Sequence, residues 1–256
     1  MQKLIARALR KAARLIANDP PLTIDISHRD EFLRWLLFAN AGMLERGNLY
    51  LMDYAISRLP SAAPMLEIGS FCGLSANVLT HLKHKHRRDN PIFTCDKWEF
   101  ENRNSSCIGD SNVTFEHYKT FVRDSFFRNV EMFSEDDAPF TVESLSHEFF
   151  DLWRERAAMK DVFSRSVTLG GPLSFCYVDG NHTYEGARAD FENCDVFLEP
   201  GGFILFDDSA WEEFGVHRLM PKVQATGRYK LIARNPNHLF QKVLAIDDSR
   251  PSKNSL

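Results

Sequence analysis

Short apolar runs alternate along most of this chain with longer segments whose apolar positions recur at helical spacing. Met65-Leu-Glu-Ile68 reads as a first strand and Ser75 to His84 as the helix after it. Pro91 to Asp96 is a second strand that ends in an acid. Pro139 to Glu143 follows as a third strand with Ser146 to Ala158 as its helix, Leu173 to Asp179 as a fourth with Tyr184 to Phe197, and Phe203 to Asp207 as a fifth. Strand followed by helix requires parallel strands, because each return crosses a face of the sheet. Tyr229 to Ala233 and His238 to Val243 flank Asn235-Pro-Asn237 and predict an antiparallel hairpin. The pattern therefore predicts an α/β fold with a seven-stranded, mostly parallel sheet closed by an antiparallel C-terminal hairpin.

Ahead of the first strand, Met1 to Asn18 interleaves Lys3, Arg7, Arg10, Lys11 and Arg14 with apolar residues at helical spacing. Asp19-Pro-Pro21 breaks that pattern, and helical periodicity returns over Arg29 to Phe38 and Tyr50 to Arg58. Residues 1–60 form an N-terminal helical lead-in, expected as a lid or as the contact of a homo-oligomer, and residues 61–246 form one domain. A basic amphipathic helix can lie on an anionic membrane, but packing against its own domain or a second subunit is the commoner role. About residues 97–127 the connection exceeds the few residues usual in α/β units, so it is an insertion over the sheet's carboxyl edge. Ten of the 21 phenylalanines fall between Phe100 and Phe163, a density that predicts a packed insertion. Residues 247–256 are polar and are expected to be a disordered tail.

Composition narrows the partners. With 256 residues and 44% hydrophobic content the chain can bury a full core, and its net charge of −4 gives no global reason to expect nucleic acid. A small molecule is the expected partner. Five cysteines, odd in number and without CxxC spacing, predict neither a zinc knuckle nor a disulfide framework and fit reduced thiols in a cytoplasm. No apolar run approaches the ~18 residues of a transmembrane segment, and the N-terminus lacks the unbroken apolar core of a secretory signal.

The candidate chemistry lies where strands end, because ligands of open α/β sheets bind outside the carboxyl ends of the strands. Glu67-Ile-Gly-Ser-Phe-Cys-Gly73 has three residues between its glycines, unlike the Gly-x-Gly-x-x-Gly of dinucleotide sites, and no Gly-Lys-Ser/Thr follows. What remains is a loop that lets its backbone approach a ligand, with free N–H donors at the following helix start and the Ser75 hydroxyl beside them. Asp96 is placed to accept both hydroxyls of a ribose. S-adenosylmethionine, with a carboxylate at one end and a ribose at the other, is a ligand of that shape.

Glu67-Ile-Gly-Ser-Phe-Cys-Gly-Leu-Ser-Ala76, followed by Asp96, Tyr177-Val-Asp-Gly-Asn-His-Thr-Tyr-Glu-Gly186 and Glu199-Pro-Gly-Gly-Phe-Ile-Leu-Phe-Asp-Asp208, resembles the motif series of class I S-adenosylmethionine-dependent methyltransferases. The similarity is greatest to metal-dependent small-molecule O-methyltransferases of the catechol and sugar types, and it spans about Met65 to Val243. It implies a Rossmann-like fold and an O-methyltransferase acting on a hydroxyl of a sugar, a polyketide or a catechol-like diol. It also implies that Glu67, Gly69, Ser70 and Gly73 floor the methionine side of the cofactor, together with Asp179. Ser75 would hold the amino-acid carboxylate, Asp96 the ribose and Ser144 the adenine edge, with Trp98 as a wall beside the adenine.

Asp179 ends one strand and Asp207 and Asp208 the next. Three carboxylates at adjacent strand ends repel unless neutralised, and oxygen ligands select a hard dication, Mg²⁺ foremost, with Ca²⁺ and Mn²⁺ as alternatives. The resemblance points to the same metal ligands, although catechol-type enzymes carry Asp-Asn where this chain has Asp207-Asp208. His182 stands where those enzymes place a lysine base. With Asp179 it is the expected catalytic pair, since an imidazole of pKa near ~6.5 can take a proton at neutral pH. An ordinary alcohol, with a pKa like that of water at about 15.7, lies roughly 9 units away, so a cation on the acceptor oxygen would leave the histidine a smaller task. Two rivals remain open: a metal-independent methyltransferase using His182, and a catalytically silent S-adenosylmethionine-binding protein.

Overall fold

A computed structural model describes residues 23–100 and 106–244. The expected basic helix of Met1 to Asn18, the middle of the insertion and the polar tail lie outside the described residues.

Seven strands form the main sheet: β1 (Met65–Ile68), β2 (Ile92–Cys95), β3 (Phe140–Val142), β6 (Leu173–Val178), β7 (Leu198–Phe206), β8 (Tyr229–Arg234) and β9 (His238–Lys242). Their spatial order is β3-β2-β1-β6-β7-β9-β8. The first five pair in parallel and β9 joins β7 antiparallel, as the sequence pattern predicts. Strand order reverses between β1 and β6, which makes the gap beyond their carboxyl ends the ligand crevice of this topology.

Both faces of the central strands are buried, so the strands are nearly continuously apolar and their alternation sorts side chains between two cores. Leu66, Cys176, Ile204 and Phe206 enter one core. It is completed by α5 (Ser146–Arg154), α6 (Tyr184–Phe197) and α7 (Gly215–Ala225). Met65, Phe175, Phe203 and Leu205 enter the other, against α1 (Glu31–Ala39), α2 (Arg46–Ile56) and α3 (Leu74–Lys85). A third cluster joins Cys72 and Ala76 to Trp98 and to Val122, Phe126 and Val130 of α4 (Phe115–Phe133). That cluster explains the phenylalanine density of the insertion: α4 is a packed helix.

Three elements depart from the periodicity. The helix after β3 stops at Arg154 because Arg156 turns into the left-handed region, and Ala158–Lys160 (β4) then pairs with Ser166–Thr168 (β5) as a separate two-stranded hairpin. Helix α7, which starts at a glycine and contains Pro221, was not legible as a helix. Helix α2 begins at Arg46, a full turn before the periodic stretch, with Gly47 in that turn.

Gly47 marks a close approach. A Cβ built there would lie 1.5 Å from the Asn235 carbonyl oxygen, so α2 reaches the tip of the β8–β9 hairpin only because the residue is glycine. Asn235 fastens this contact, donating to the carbonyls of Gly47 at 3.0 Å and Ile24 at 2.8 Å while its own oxygen accepts from the Ile24 amide at 2.7 Å. Gly47→Ala must push α2 off the hairpin, at a cost of about 1–3 kcal/mol. For a chain of this size thermal unfolding should then begin several degrees lower, and an unchanged melting temperature would contradict the contact.

Candidate active site

The turn after β1 is forced by its surroundings. Gly69, Phe71 and Gly73 have φ of 87°, 46° and 84°, so three of five consecutive residues occupy the left-handed region. At Gly69 a Cβ would come within 2.1 Å of the Asp179 carbonyl oxygen, which brings the ends of β1 and β6 together at the reversal point. Asp96 holds the turn from the side: its Oδ2 accepts the amides of Ser70 and Phe71, both at 2.8 Å, and its Oδ1 accepts the Trp98 amide at 2.6 Å. The Asn40 and Asn129 side chains donate to the Cys72 carbonyl at 3.1 Å and 2.8 Å.

Above this turn opens a cavity of about 630 Å³. Gly69, Ser70, Ser75, Asp96 and Ser144 line it together with Asp179, His182, Asp207 and Asp208. Most of the residues singled out in the sequence therefore share one chamber. The buried Ser70 and Ser144 hydroxyls have no hydrogen-bond partner within the protein, which leaves them available to a ligand. Three of the expected residues do not line this cavity. Trp98 does not wall the cavity; it is fully buried beside Phe126, with its indole N–H on the Phe71 carbonyl at 2.9 Å. Gly73 faces α4, since a Cβ there would meet Phe126 and Val130 at 3.1 Å. Glu67 lies behind the turn and is completely buried. Trp98 and Gly73 thus shape the turn from outside.

Neither carboxylate oxygen of Glu67 meets a donor at hydrogen-bonding geometry. Burial pushes its carboxyl up to about 8, and the nearby Ser75 and Ser70 hydroxyls offset only part of that.

Asp179, His182 and Asp208 each present one ligand atom, and the three atoms lie within 4.8 Å of one another. His182 Nδ1 is 3.1 Å from Asp208 Oδ2, and Nε2 is 3.6 Å from Asp179 Oδ1. Asp208 has φ of 51°, a left-handed conformation that aspartate tolerates better than most residues. The compact group is not the three aspartates of the sequence reading, because Asp207 is not one of its members and is already engaged. Asp207 Oδ1 accepts from Asn48 Nδ2 at 2.9 Å, from Asn237 Nδ2 and from the Asp208 amide at 3.0 Å. Its Oδ2 is 2.5 Å from the Tyr177 hydroxyl, which also lies 3.3 Å from Asp179 Oδ2. Burial, with Asp207 beside it, raises the Asp179 carboxyl to about 7 against the opposing pull of His182. His182 is raised in turn, first by its hydrogen bond to Asp179. The two carboxylates are oxygen donors that fit a divalent cation, and the imidazole within the same group can act beside the ion as a base.

Sequence reasoning missed several wall residues. Met43 and Leu44, from the α1–α2 connection, and Lys97, Glu99, Phe100 and Phe214 also line the cavity. A broadly open depression of the surface, of about 990 Å³, adjoins it, sharing Glu99, Phe100, Gly180, Asn181, His182 and Phe214. His182 therefore lies where the cavity meets this depression.

A sheet of this order with a glycine turn beside an acidic strand end defines a Rossmann-like enzyme whose ligand site is at the strand reversal. Residues 66–209 match the methyltransferase domain family, and the chain belongs to it. Among solved structures, it is similar to the O-methyltransferase from Bacillus cereus in complex with SAH, at 14% identity over 86% of this chain and 95% of that one, with a TM-score of 0.55. SAH-bound Podospora anserina methyltransferase PaMTH1 shares 13% identity over 93% and 95%, at 0.52. CalS11, a TDP-rhamnose 3'-O-methyltransferase of calicheamicin biosynthesis, shares 15% over 93% of both chains, at 0.51. At these identities the likeness is one of fold. No curated protein matches the chain in sequence. Among the described residues no helix is long and apolar enough to cross a membrane.

The buried Glu67 carboxyl has a testable consequence. With its folded pKa near 8 and an ordinary unfolded value of 4.5, the folded state holds the extra proton between those limits, so stability falls as pH rises through that window. Glu67→Gln, which cannot ionise, should raise the melting temperature at pH 8.5 and leave it nearly unchanged at pH 4.5. An equal shift at both values would contradict the assignment.

Proposed function

We propose that this protein is an S-adenosylmethionine-dependent, divalent-cation-dependent O-methyltransferase acting on a hydroxyl of a small molecule such as a sugar, a polyketide or a catechol-like diol. The observation that carries the reading is that the glycine turn and the Asp179–His182–Asp208 group line one cavity of about 630 Å³. Membership of the methyltransferase domain family supports it, and the bound SAH of two fold relatives makes an adenosyl ligand the natural occupant.

In this reading Gly69 and Ser70 admit the methionine end of the cofactor. The free amides at the start of α3, with the Ser75 hydroxyl, hold its carboxylate. Ser144 takes the adenine edge. Asp96 spends three acceptor positions on backbone amides, so its carboxylate fixes the turn and has limited capacity left for a ribose; Glu99, also on the wall, can share that task. When bound, S-adenosylmethionine supplies an electrophilic methyl group on a sulfonium.

Asp179 and Asp208 would hold the cation, Mg²⁺ or Mn²⁺, which supplies a Lewis acid that lowers the pKa of the acceptor hydroxyl. His182 lies where the cavity meets the surface depression and takes the hydroxyl proton, its imidazole oriented by Asp208. Phe100 and Phe214 line both the cavity and the depression and exclude water from the line of transfer. Positioning acceptor and donor in line accounts for much of the acceleration.

The metal-independent alternative would use the same imidazole, which Asp208 orients through its Oδ2, 3.1 Å from His182 Nδ1. Methyl transfer from labelled S-adenosylmethionine to pooled diols, sugars and phenols, with and without EDTA, separates the readings. Loss of transfer on chelation, restored by Mg²⁺ or Mn²⁺, is expected; transfer that survives chelation selects the alternative. SAH binding with no transfer to any acceptor would indicate a silent binding protein. Within an active enzyme, His182→Ala should lower kcat by about 10²- to 10⁴-fold while SAH affinity, read by calorimetry, stays within a few-fold.

A further inference from the structure

Asp207 is a carboxylate with four hydrogen-bond donors, and two of them, Asn48 and Asn237, come from outside the family domain. The domain match covers residues 66–209, whereas Asn48 belongs to α2 and Asn237 to the β8–β9 hairpin. Both asparagines are completely buried, and both aim their amide N–H at the same oxygen, Asp207 Oδ1. They also brace each other, since Asn237 Nδ2 donates to Asn48 Oδ1 at 3.1 Å. The Asn237 oxygen accepts in turn from the Ala210 amide at 3.2 Å and the Ser209 hydroxyl at 3.4 Å, so every polar atom of the pair is used.

The consequence reaches the cation group by two short paths. Oδ1, held by the two amides, accepts the Asp208 amide at 3.0 Å and so fixes the backbone of a residue already in the left-handed region. Oδ2 keeps the Tyr177 hydroxyl at 2.5 Å, and that hydroxyl touches Asp179 Oδ2 at 3.3 Å. Asp207 is thereby linked to both acids of the Asp179–His182–Asp208 group, to Asp208 through its backbone amide and to Asp179 through the Tyr177 hydroxyl. Gly47, adjacent to Asn48, is what allows α2 close enough to the hairpin for the two asparagines to meet.

We infer that Asn48 and Asn237 are positioning residues: an amide clamp that, through Asp207, orients Asp179 and Asp208 and sets their affinity for a divalent cation. The inference rests on the metal reading proposed above. It makes the N-terminal helix pair a working part of the site, and it assigns Asp207 to the support of the cation group. Supporting contacts of this kind typically change metal affinity by about 10- to 100-fold.

The test titrates the full chain and its Asn48→Ala and Asn237→Ala variants with Mn²⁺, read by electron paramagnetic resonance, beside SAH calorimetry and thermal melting. Asn90→Ala serves as the structural control. Asn90 is as deeply buried, but its amide donates to the Ser61 and Ala63 carbonyls and the Ser174 hydroxyl, remote from the cation group. Each clamp variant should bind Mn²⁺ about 10- to 100-fold more weakly while keeping SAH affinity within a few-fold, and Asn90→Ala should lose melting temperature but no Mn²⁺ affinity. Clamp variants that bind Mn²⁺ as the parent does, or a control that loses it equally, would overturn the inference and leave the metal reading standing. A parent chain that binds no Mn²⁺ would overturn both.

Discussion

The contact between the Gly69 backbone and the Asp179 carbonyl is the constraint on which the site depends. Strand order reverses there, so the chain leaving β1 and the chain leaving β6 must diverge, yet at Gly69 no side chain separates them. The turn therefore folds into the crevice, with its amides gathered on Asp96. Asp179, one residue past β6, lines the same cavity as the turn it touches. A bulkier residue at position 69 would separate the strand ends, and with them the two halves of the site.

Three acids near this contact are treated differently. Asp207 is buried and receives hydrogen bonds at both oxygens, so its charge is compensated within the protein. Glu67 is equally buried but lacks a partner at either oxygen, and its carboxyl is pushed toward neutrality. Asp179 lies between these extremes, with part of its side chain open to the cavity and an imidazole across from it. The partial exposure of Asp179, His182 and Asp208 distinguishes groups that can meet a ligand from groups that only support them.

Much of this was legible in the sequence, because the central strands are buried on both faces and read as plain apolar runs bounded by glycine and acid. Helix α6 was read to the residue, with Thr183 at its N-cap accepting the Gly186 amide. The short hairpin of β4 and β5 was illegible, since its half-exposed, mixed residues carry no period. Helix α7 was hidden by Gly215 and Pro221, and the first turn of α2 by Gly47, each a residue that argues locally against helix and is retained for packing or tolerated by it. Asp207 and Asp208 were read as equivalent ligands because sequence adjacency says nothing about direction. The left-handed φ of Asp208 sends one carboxylate to the cation group and leaves the other with Asn48 and Asn237.

The elements the sequence resolved least well are those that surround the reaction. The α1–α2 connection lines the 630 Å³ cavity through Met43 and Leu44, and a Cβ at Gly42 would lie 2.5 Å from Leu74, so this lead-in rests directly on the start of α3. The insertion contributes Phe100 to the cavity and to the surface depression, and the loop into α7 contributes Phe214, edge-on to His182 at 5.4 Å. Methyl transfer from a sulfonium to an ionising oxygen cancels opposite charges, so it is slowed by water that stabilises them apart. In the proposed reaction, then, the family domain supplies the donor turn and the acids. Segments outside residues 66–209 supply Phe214 and the asparagines, whereas Phe100, Phe115 and the Gly180 to Glu185 stretch of the outer surface belong to the domain itself.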